Sequence, residues 1–206
     1  SELKHQDLVA PSDGVESAHI DLGLSSWPVT IDTLEDSENL ITASIDYTGS
    51  LDWQDTQANG AAQISLRHQQ AFSLGQLFSS DAKWHFAISS DVPMELVLDG
   101  GSGPVTADLG KLQLTSFEYD GGSGPANLTL PSNSTETLTS FIDGGSGSLR
   151  ISLPDGGDHQ LSLEGGSGSY NLSIEEPADL NLILNAASGS GYVNLAEGTS
   201  ADITLD

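Results

Sequence analysis

One stretch decides the fold: Leu96-Val97-Leu98-Asp99-Gly100-Gly101-Ser102-Gly103-Pro104-Val105-Thr106-Ala107-Asp108-Leu109. Leu96 and Leu98 stand two residues apart, a Gly-Gly-Ser-Gly corner follows, and Val105, Ala107 and Leu109 resume the same spacing. Apolar residues at every second position give an extended chain one buried and one wet face, the pattern of a β-strand and not of a helix. The corner returns at Gly121, Gly144 and Gly165, and a worn copy runs Ala186-Ala187-Ser188-Gly189. The start-to-start spacings are 21, 23, 21 and 21 residues.

Each copy carries a strand on either side of its corner. The strands after the corners are marked by Ala126, Leu128 and Leu130, then Leu149, Ile151 and Leu153, then Tyr170, Leu172 and Ile174, and last Val193 and Leu195. Those before the corners, and at the chain end, are marked by Phe117 and Tyr119, Ser140 and Ile142, Leu161 and Leu163, Leu182 and Leu184, and Ile203 and Leu205. A two-strand unit of this size buries its apolar face only against copies of itself. The expectation is an all-β protein, a short β-solenoid of stacked repeats of about 21 residues. Its corner glycines adopt dihedrals that other residues resist, so a bulky residue at Gly101 or Gly122 should damage folding rather than activity.

The first half shows no repeat but reads as strands over Ser17–Leu22, Val29–Leu34, Leu40–Tyr47, Ala61–His68 and Lys83–Ser89. Turns such as Tyr47-Thr48-Gly49-Ser50 and Gln57-Ala58-Asn59-Gly60 separate them. Ala71–Phe78 could form one helical turn, which Gly75 weakens. These N-terminal strands are expected to continue or cap the solenoid. The chain thus divides into a tether or linker over 1–13, an N-terminal β region over 14–93, and a five-repeat solenoid with Gly-Gly-Ser-Gly turns over 94–206.

Composition excludes several functions. Among 206 residues, 30 Asp+Glu face 5 Lys+Arg, a formal net charge of -25. Such a chain repels phosphate backbones and anionic lipid, so no nucleic-acid partner is expected. Without cysteine there is no disulfide, thiol nucleophile or thiolate zinc site. The apolar runs, Leu180–Leu184 among them, are too short to cross a bilayer. The chain opens Ser1-Glu2-Leu3-Lys4-His5 and its sole methionine is Met94. The expectation is an extracytoplasmic, membrane-tethered ectodomain whose N-terminal anchor has been removed; a cytosolic protein cut for expression is the other reading.

The run Trp84-His85-Phe86-Ala87-Ile88-Ser89-Ser90-Asp91-Val92-Pro93-Met94-Glu95-Leu96, followed by a glycine turn, resembles the toast-rack domain of bacterial envelope proteins. That group includes the LiaF-like cell-wall-stress proteins and the so-called putative adhesins. Val15–Leu22 and Ala61–Arg67 fit the same pattern, and the likeness spans about residues 13–206. The resemblance implies an extracytoplasmic bacterial β-solenoid, often behind transmembrane helices, with a role in envelope sensing or adhesion. It implies no catalytic residue. The strong acidity and the serine in every turn depart from the family pattern.

The residue before each corner is Asp99, Asp120, Asp143, Glu164 and Asn185, with Asp206 at the chain end. Stacked in register, these side chains form an outward ladder, because their neighbours Leu98, Tyr119, Ile142, Leu163 and Leu184 point inward. Carboxylates about 5 Å apart repel by roughly 0.8 kcal/mol in bulk dielectric. Ca²⁺ held by oxygen ligands would relieve that repulsion, making Asp99, Asp120, Asp143 and Glu164 candidate metal ligands. The simpler reading is that each acid accepts hydrogen bonds from its own turn. Nonapeptide calcium repeats also begin Gly-Gly-x-Gly, but they place Asp where this chain has Val105, Ala126, Leu149, Tyr170 and Gly191.

The turn serines Ser102, Ser123, Ser146, Ser167 and Ser188 lack a hydrolase's strand-to-helix context. His5, His19, His68, His85 and His159 lack zinc-site spacing. The sequons at Asn127, Asn133 and Asn171 matter only in a glycosylating host. Lys111 and Arg150 alone lie within the repeats as cations, too few to handle an acidic polysaccharide substrate. Trp53, in Leu51-Asp52-Trp53-Gln54-Asp55, either stacks on a sugar or protein partner or caps the core.

The function expected is a non-enzymatic surface or binding module for adhesion, scaffolding or envelope sensing, with a protein or envelope-glycan partner and no required cofactor. The alternatives are a divalent-cation-binding structural domain and a carbohydrate-active solenoid enzyme, the latter needing two carboxylates across a cleft. Repeat five ends at Asp206 without a polar cap, so its edge strand should pair with another copy or be covered by further chain.

Overall fold

The structure is a computed structural model that describes residues 2–71, 81–132, 136–185 and 188–206. The candidate helical turn from Phe72 onward, the Asn133 sequon and Ala186-Ala187 of the worn corner lie outside the described residues. Those residues form strands only, in two nine-stranded sheets packed face to face.

The second half is a column of rungs, each a strand, a corner and a second strand. Its rungs are β8 (Met94–Asp99) with β9 (Val105–Asp108), β10 (Leu114–Asp120) with β11 (Ala126–Thr129), and β12 (Leu138–Asp143) with β13 (Leu149–Leu153). β14 (Gly157–Glu164) with β15 (Tyr170–Ile174), β16 (Ala178–Asn185) with β17 (Gly191–Asn194), and β18 (Ser200–Leu205) complete it. Contacts between rungs are parallel and, apart from a bulge between Leu114 and Ser116 of β10, in register, Leu98 opposite Tyr119, Tyr119 opposite Ile142, Leu163 opposite Leu184 and Leu184 opposite Leu205. The alternating apolar residues therefore stack into continuous inward rows, and Leu96, Leu98, Ile142, Leu163, Leu172 and Leu182 are fully buried.

Two polar side chains interrupt these rows. His159 stands between Leu138 and Leu180, and Ser140 between Phe117 and Leu161. Both are buried, and the Ser140 hydroxyl has no hydrogen-bond partner.

The corners stack as a column, and the expected backbone demand holds at two of them, where Gly145 and Gly166 adopt φ of 58° and 55°; at the first two corners the reason is different. Gly101 and Gly122 do not occupy the left-handed region. What forbids a side chain there is close approach: a Cβ on Gly101 would lie 2.2 Å from the carbonyl oxygen of Ser25, and one on Gly122 2.0 Å from that of Gly101. The contact with Ser25 shows that the column continues into the first half through the non-glycine corner Leu24-Ser25-Ser26-Trp27.

The N-terminal strands both continue and cap the solenoid. β2 (Ser17–Gly23) and β3 (Val29–Leu34) form one rung, and β6 (Ala61–Gln69) and β7 (Trp84–Ser89) form another. Spatial order departs from chain order. β2 lies between β6 and β8, and β3 between β7 and β9, so the β6–β7 rung sits outside β2–β3 and the chain then steps back across it. β4 (Asn39–Tyr47), β5 (Ser50–Ala58) and β1 (Lys4–Pro11) close this end with antiparallel pairs, β1 on β4, β4 on β7 and β5 on β6.

Two expectations are corrected. Lys4–Pro11, within the segment read as a tether, is strand β1, because Leu8 and Ala10 alternate into the core while its backbone pairs with β4. Trp53 lies in strand β5 and not in a loop. Only Leu51 and Trp53 carry β5's apolar signal, so its polar residues masked the strand.

Candidate functional site

The ladder of acids exists. Asp99 is paired in register with Asp120, Asp120 with Asp143, Asp143 with Glu164, and Glu164 with Asn185. Parallel pairing spaces the rungs about 4.8 Å apart, and the alternation that buries Leu98 and Tyr119 turns these residues outward. Asp143 Oδ1 accepts a hydrogen bond from the N–H of Gly145 at 2.8 Å, the turn role that Asp fills without any metal. Among the described residues no group of three or more His, Asp or Glu converges closely enough to hold a metal ion. A straight ladder spreads its carboxylates along a line, whereas Ca²⁺ draws six or more oxygens around a point.

The two outer faces differ in chemistry. On the sheet containing β8 to β18 in even-numbered strands, outward positions hold Glu95, Asp99, Glu118, Asp120, Asp143 and Glu164, with Phe141 exposed beside them. On the opposite sheet one outward row runs Thr106, Asn127, Arg150, Asn171, Tyr192, and the next Asp108, Thr129, Ser152, Ser173, Asn194. The first face is anionic. Over β9 to β17 the second is a neutral array of hydroxyls and amides, with Arg150 balanced by Asp108.

Histidines at the N-terminal end meet carboxylates across strands, pairs that only register reveals. His85 Nε2 lies 2.8 Å from Asp32, and His19 Nδ1 3.0 Å from Glu95. His5 sits between Asp46, at 2.8 Å from Nδ1, and Asp7, at 3.2 Å from Nε2. The hydrogen bond to Asp46 raises the His5 pKa, slight desolvation opposes it, and Asp7 adds to the rise. At Asp46, burial favours the neutral acid, but hydrogen bonds from His5 and the Lys83 N–H, with the charge of both residues, together hold its pKa below the usual range.

Ser44 Oγ is 3.5 Å from His5 Nε2, which gives the connectivity serine, histidine, aspartate. The imidazole is nonetheless committed to carboxylates at both nitrogens, the Asp7 contact being the shorter. The β4 backbone on which Ser44 lies is paired on both sides, with β1 and β7. The backbone of β4 around Ser44 is thereby engaged in the two ladders rather than turned toward an oxyanion.

A depression of ≈ 450 Å³ is lined by Lys111, Gln113, Thr115, Pro131 and Ser132, with Glu136 as its one carboxylate. Glycoside hydrolysis needs two. Three smaller depressions share His19 on the anionic face. The corner serines Ser102, Ser123, Ser146, Ser167 and Ser188 are exposed. Trp53 is half-buried against the core, opposite Leu66.

A family model described as the N-terminal domain of toast_rack, DUF2154, matches residues 1–152. Among curated proteins none matches the chain. The crystal structure of a "putative cell adhesion protein" from Clostridium sporogenes superposes over 100% of both chains with a TM-score of 0.54 at 14% identity, a likeness of fold. A "putative adhesin" from Bacteroides fragilis covers 100% of this chain and 97% of its own at a TM-score of 0.32 and 11% identity, too loose a match to bear on the argument.

Proposed function

The chain belongs to the toast-rack family, and from that premise we propose that the protein is a non-enzymatic binding module displayed outside the bacterial cell, engaged in adhesion, scaffolding or envelope sensing. The observation that carries this reading is the pair of parallel-stacked outer faces of the repeats, one anionic and one of hydroxyls and amides. Function of this kind resides in an extended rigid surface rather than in a cleft. Rows repeating about every 4.8 Å suit a long periodic partner, an envelope glycan or an extended protein segment, better than a small molecule. The cell-adhesion description of the Clostridium sporogenes structure points the same way.

The experiment is binding of the purified protein to isolated cell-wall sacculi and to a panel of envelope glycans, with Asn127→Asp plus Asn171→Asp and Glu118→Lys plus Asp120→Lys as face-specific variants. Saturable binding lost by one double variant and kept by the other supports the reading. Binding indifferent to both, or turnover of any glycan, overturns it. Protease shaving of intact cells tests display: a protein cleaved only after lysis is not outside.

A further inference from the structure

Among the described residues, the strands at one end of the solenoid are guarded against further pairing and those at the other are not. At the N-terminal end the outermost strand β5 turns Leu51, Trp53, Asp55 and Gln57 toward the interior, since these lie opposite His68, Leu66, Ile64 and Ala62 of β6. A carboxylate and an amide at inward positions of an edge strand make further pairing costly. β1, the other edge there, ends in Pro11 and carries Lys4 and Gln6 on its inward side.

At the C-terminal end nothing comparable occurs. β18 places Ala201, Ile203 and Leu205 over Leu180, Leu182 and Leu184 with no polar substitute. Leu205 is 73% exposed, Ile203 42% and Leu195 41%, whereas Leu182 one rung below is fully buried. β17 and β18 are the last strands of their sheets, so each presents an unpaired backbone edge beside the exposed interior.

We propose that this end face is the interface of a closed two-fold dimer, its occupant being the same face of a second copy. Three observations select that occupant. The first is register. With a two-fold axis normal to the sheets, β18 runs antiparallel to its counterpart, and inward residues must face inward residues. Two such registers pair five residues of β18. One sets Asp202 against Asp202. The other centres on Ile203, sets Ala201 against Leu205 and sets Asp202 against Thr204, so that no carboxylate opposes another within the strand. The strand is thus complementary to itself in one alignment.

The second is area. A face with about 20 Å of strand length, across sheets about 10 Å apart and widened by outer side chains, offers on the order of 500 Å² per copy, or about 1,000 Å² for the pair, where specific interfaces begin. The third is the guarded opposite end. Were both ends adhesive, copies would add head to tail into filaments; with only one open, association stops at two. Copies of net charge -25 repel, and salt shortens the reach of that repulsion from about 10 Å at 0.1 M to about 3 Å at 1 M. The dimer therefore tightens as salt rises, the reverse of an electrostatically driven contact.

Sedimentation equilibrium of the full chain at 0.1 M and 1 M NaCl tests this. The expected result is a monomer–dimer equilibrium at least tenfold tighter in the higher salt. A monomer throughout, or an open-ended series of oligomers, overturns the proposal. The chain has no cysteine, so single-cysteine variants report the contact without background. Ile203→Cys should oxidise to a covalent dimer and Asp202→Cys should not, with unchanged circular dichroism showing that both fold. Equal or reversed cross-linking overturns the two-fold register. Glycan binding by the outer faces is measured separately and does not depend on this outcome.

Discussion

From β8 onward each strand lies on the strand of the preceding repeat, and the chain climbs in sequence order. From β2 to β7 the same inward rows are built out of order, with β2–β3 enclosed between rungs that follow it in the chain. Both regions bury their apolar faces equally well: Ile20, Ile31 and Phe86 are as inaccessible as Leu98, Leu163 and Leu172. They differ in how neighbours are specified. The repeats are held by local succession and a common corner, a nearly one-dimensional arrangement. The N-terminal region relies on long-range pairing and large side chains, above all Trp84, which packs on Phe86 and donates its indole N–H to the Asp46 carbonyl at 2.7 Å.

If corner contact is what holds the repeats, Gly122→Val should have the largest effect, leaving little folded protein, because its Cβ would sit 2.0 Å from a backbone oxygen that cannot yield. Gly23→Ala, in the first half, meets its nearest atom at 3.2 Å and should fold with a loss near 1 kcal/mol. Equal tolerance at the two sites, judged by soluble yield and circular dichroism, would remove the distinction.

Next in size is Trp84→Ala, expected to cost about 3–5 kcal/mol in denaturant unfolding. If the regions are coupled only through neighbouring rungs, hydrogen exchange should accelerate first in β3, β4 and β7 and last in β14 and β16. Uniform acceleration would show one cooperative unit instead.

Acid separates the regions by sign. Burial lowers the pKa of His159, although its hydrogen bond to the Gly156 carbonyl and the charge of Asp158 oppose the shift. The unfolded chain then takes up the proton first, and stability is lost as pH falls through about 6.5 toward the folded value. His5 is raised by its carboxylates, so its contribution is present below about 6.5 and lost as pH climbs through the folded value. His159→Leu should flatten the decline in melting temperature between pH 7 and 5, while His5→Gln should steepen it. Identical slopes in wild type and His159→Leu would show that the repeat region does not sense acid through this residue.

A smaller gain is expected from Ser140→Ala. The buried hydroxyl has no partner, and its removal should stabilise by about 1 kcal/mol; a loss would mean the hydroxyl is satisfied in solution. The smallest effect expected is that of millimolar Ca²⁺ on the melting temperature, because the in-register carboxylates do not converge. A rise of several degrees, abolished by chelator and by Asp120→Asn with Asp143→Asn, would restore the acidic ladder as a cation site.

The strands of the repeats and most of those before them were legible from alternation alone, and so was the acidic ladder, because register follows from a fixed repeat length. β1 and β5 were not, since edge strands bury few side chains and carry little apolar signal. The histidine–carboxylate pairs were hidden because their partners, His19 and Glu95 or His5 and Asp46, are brought together only by pairing across the chain.

By itself, then, the sequence determined every strand but the two N-terminal edges, the inward rows, the corner column and the excess of negative charge, each of which depends on local alternation, a fixed repeat length or composition. Tertiary structure alone decided the order of the N-terminal rungs, the chemical difference between the outer faces and which end stays open. Those depend on which strand edges meet, and backbone hydrogen bonds make almost any edge able to meet any other until packing chooses.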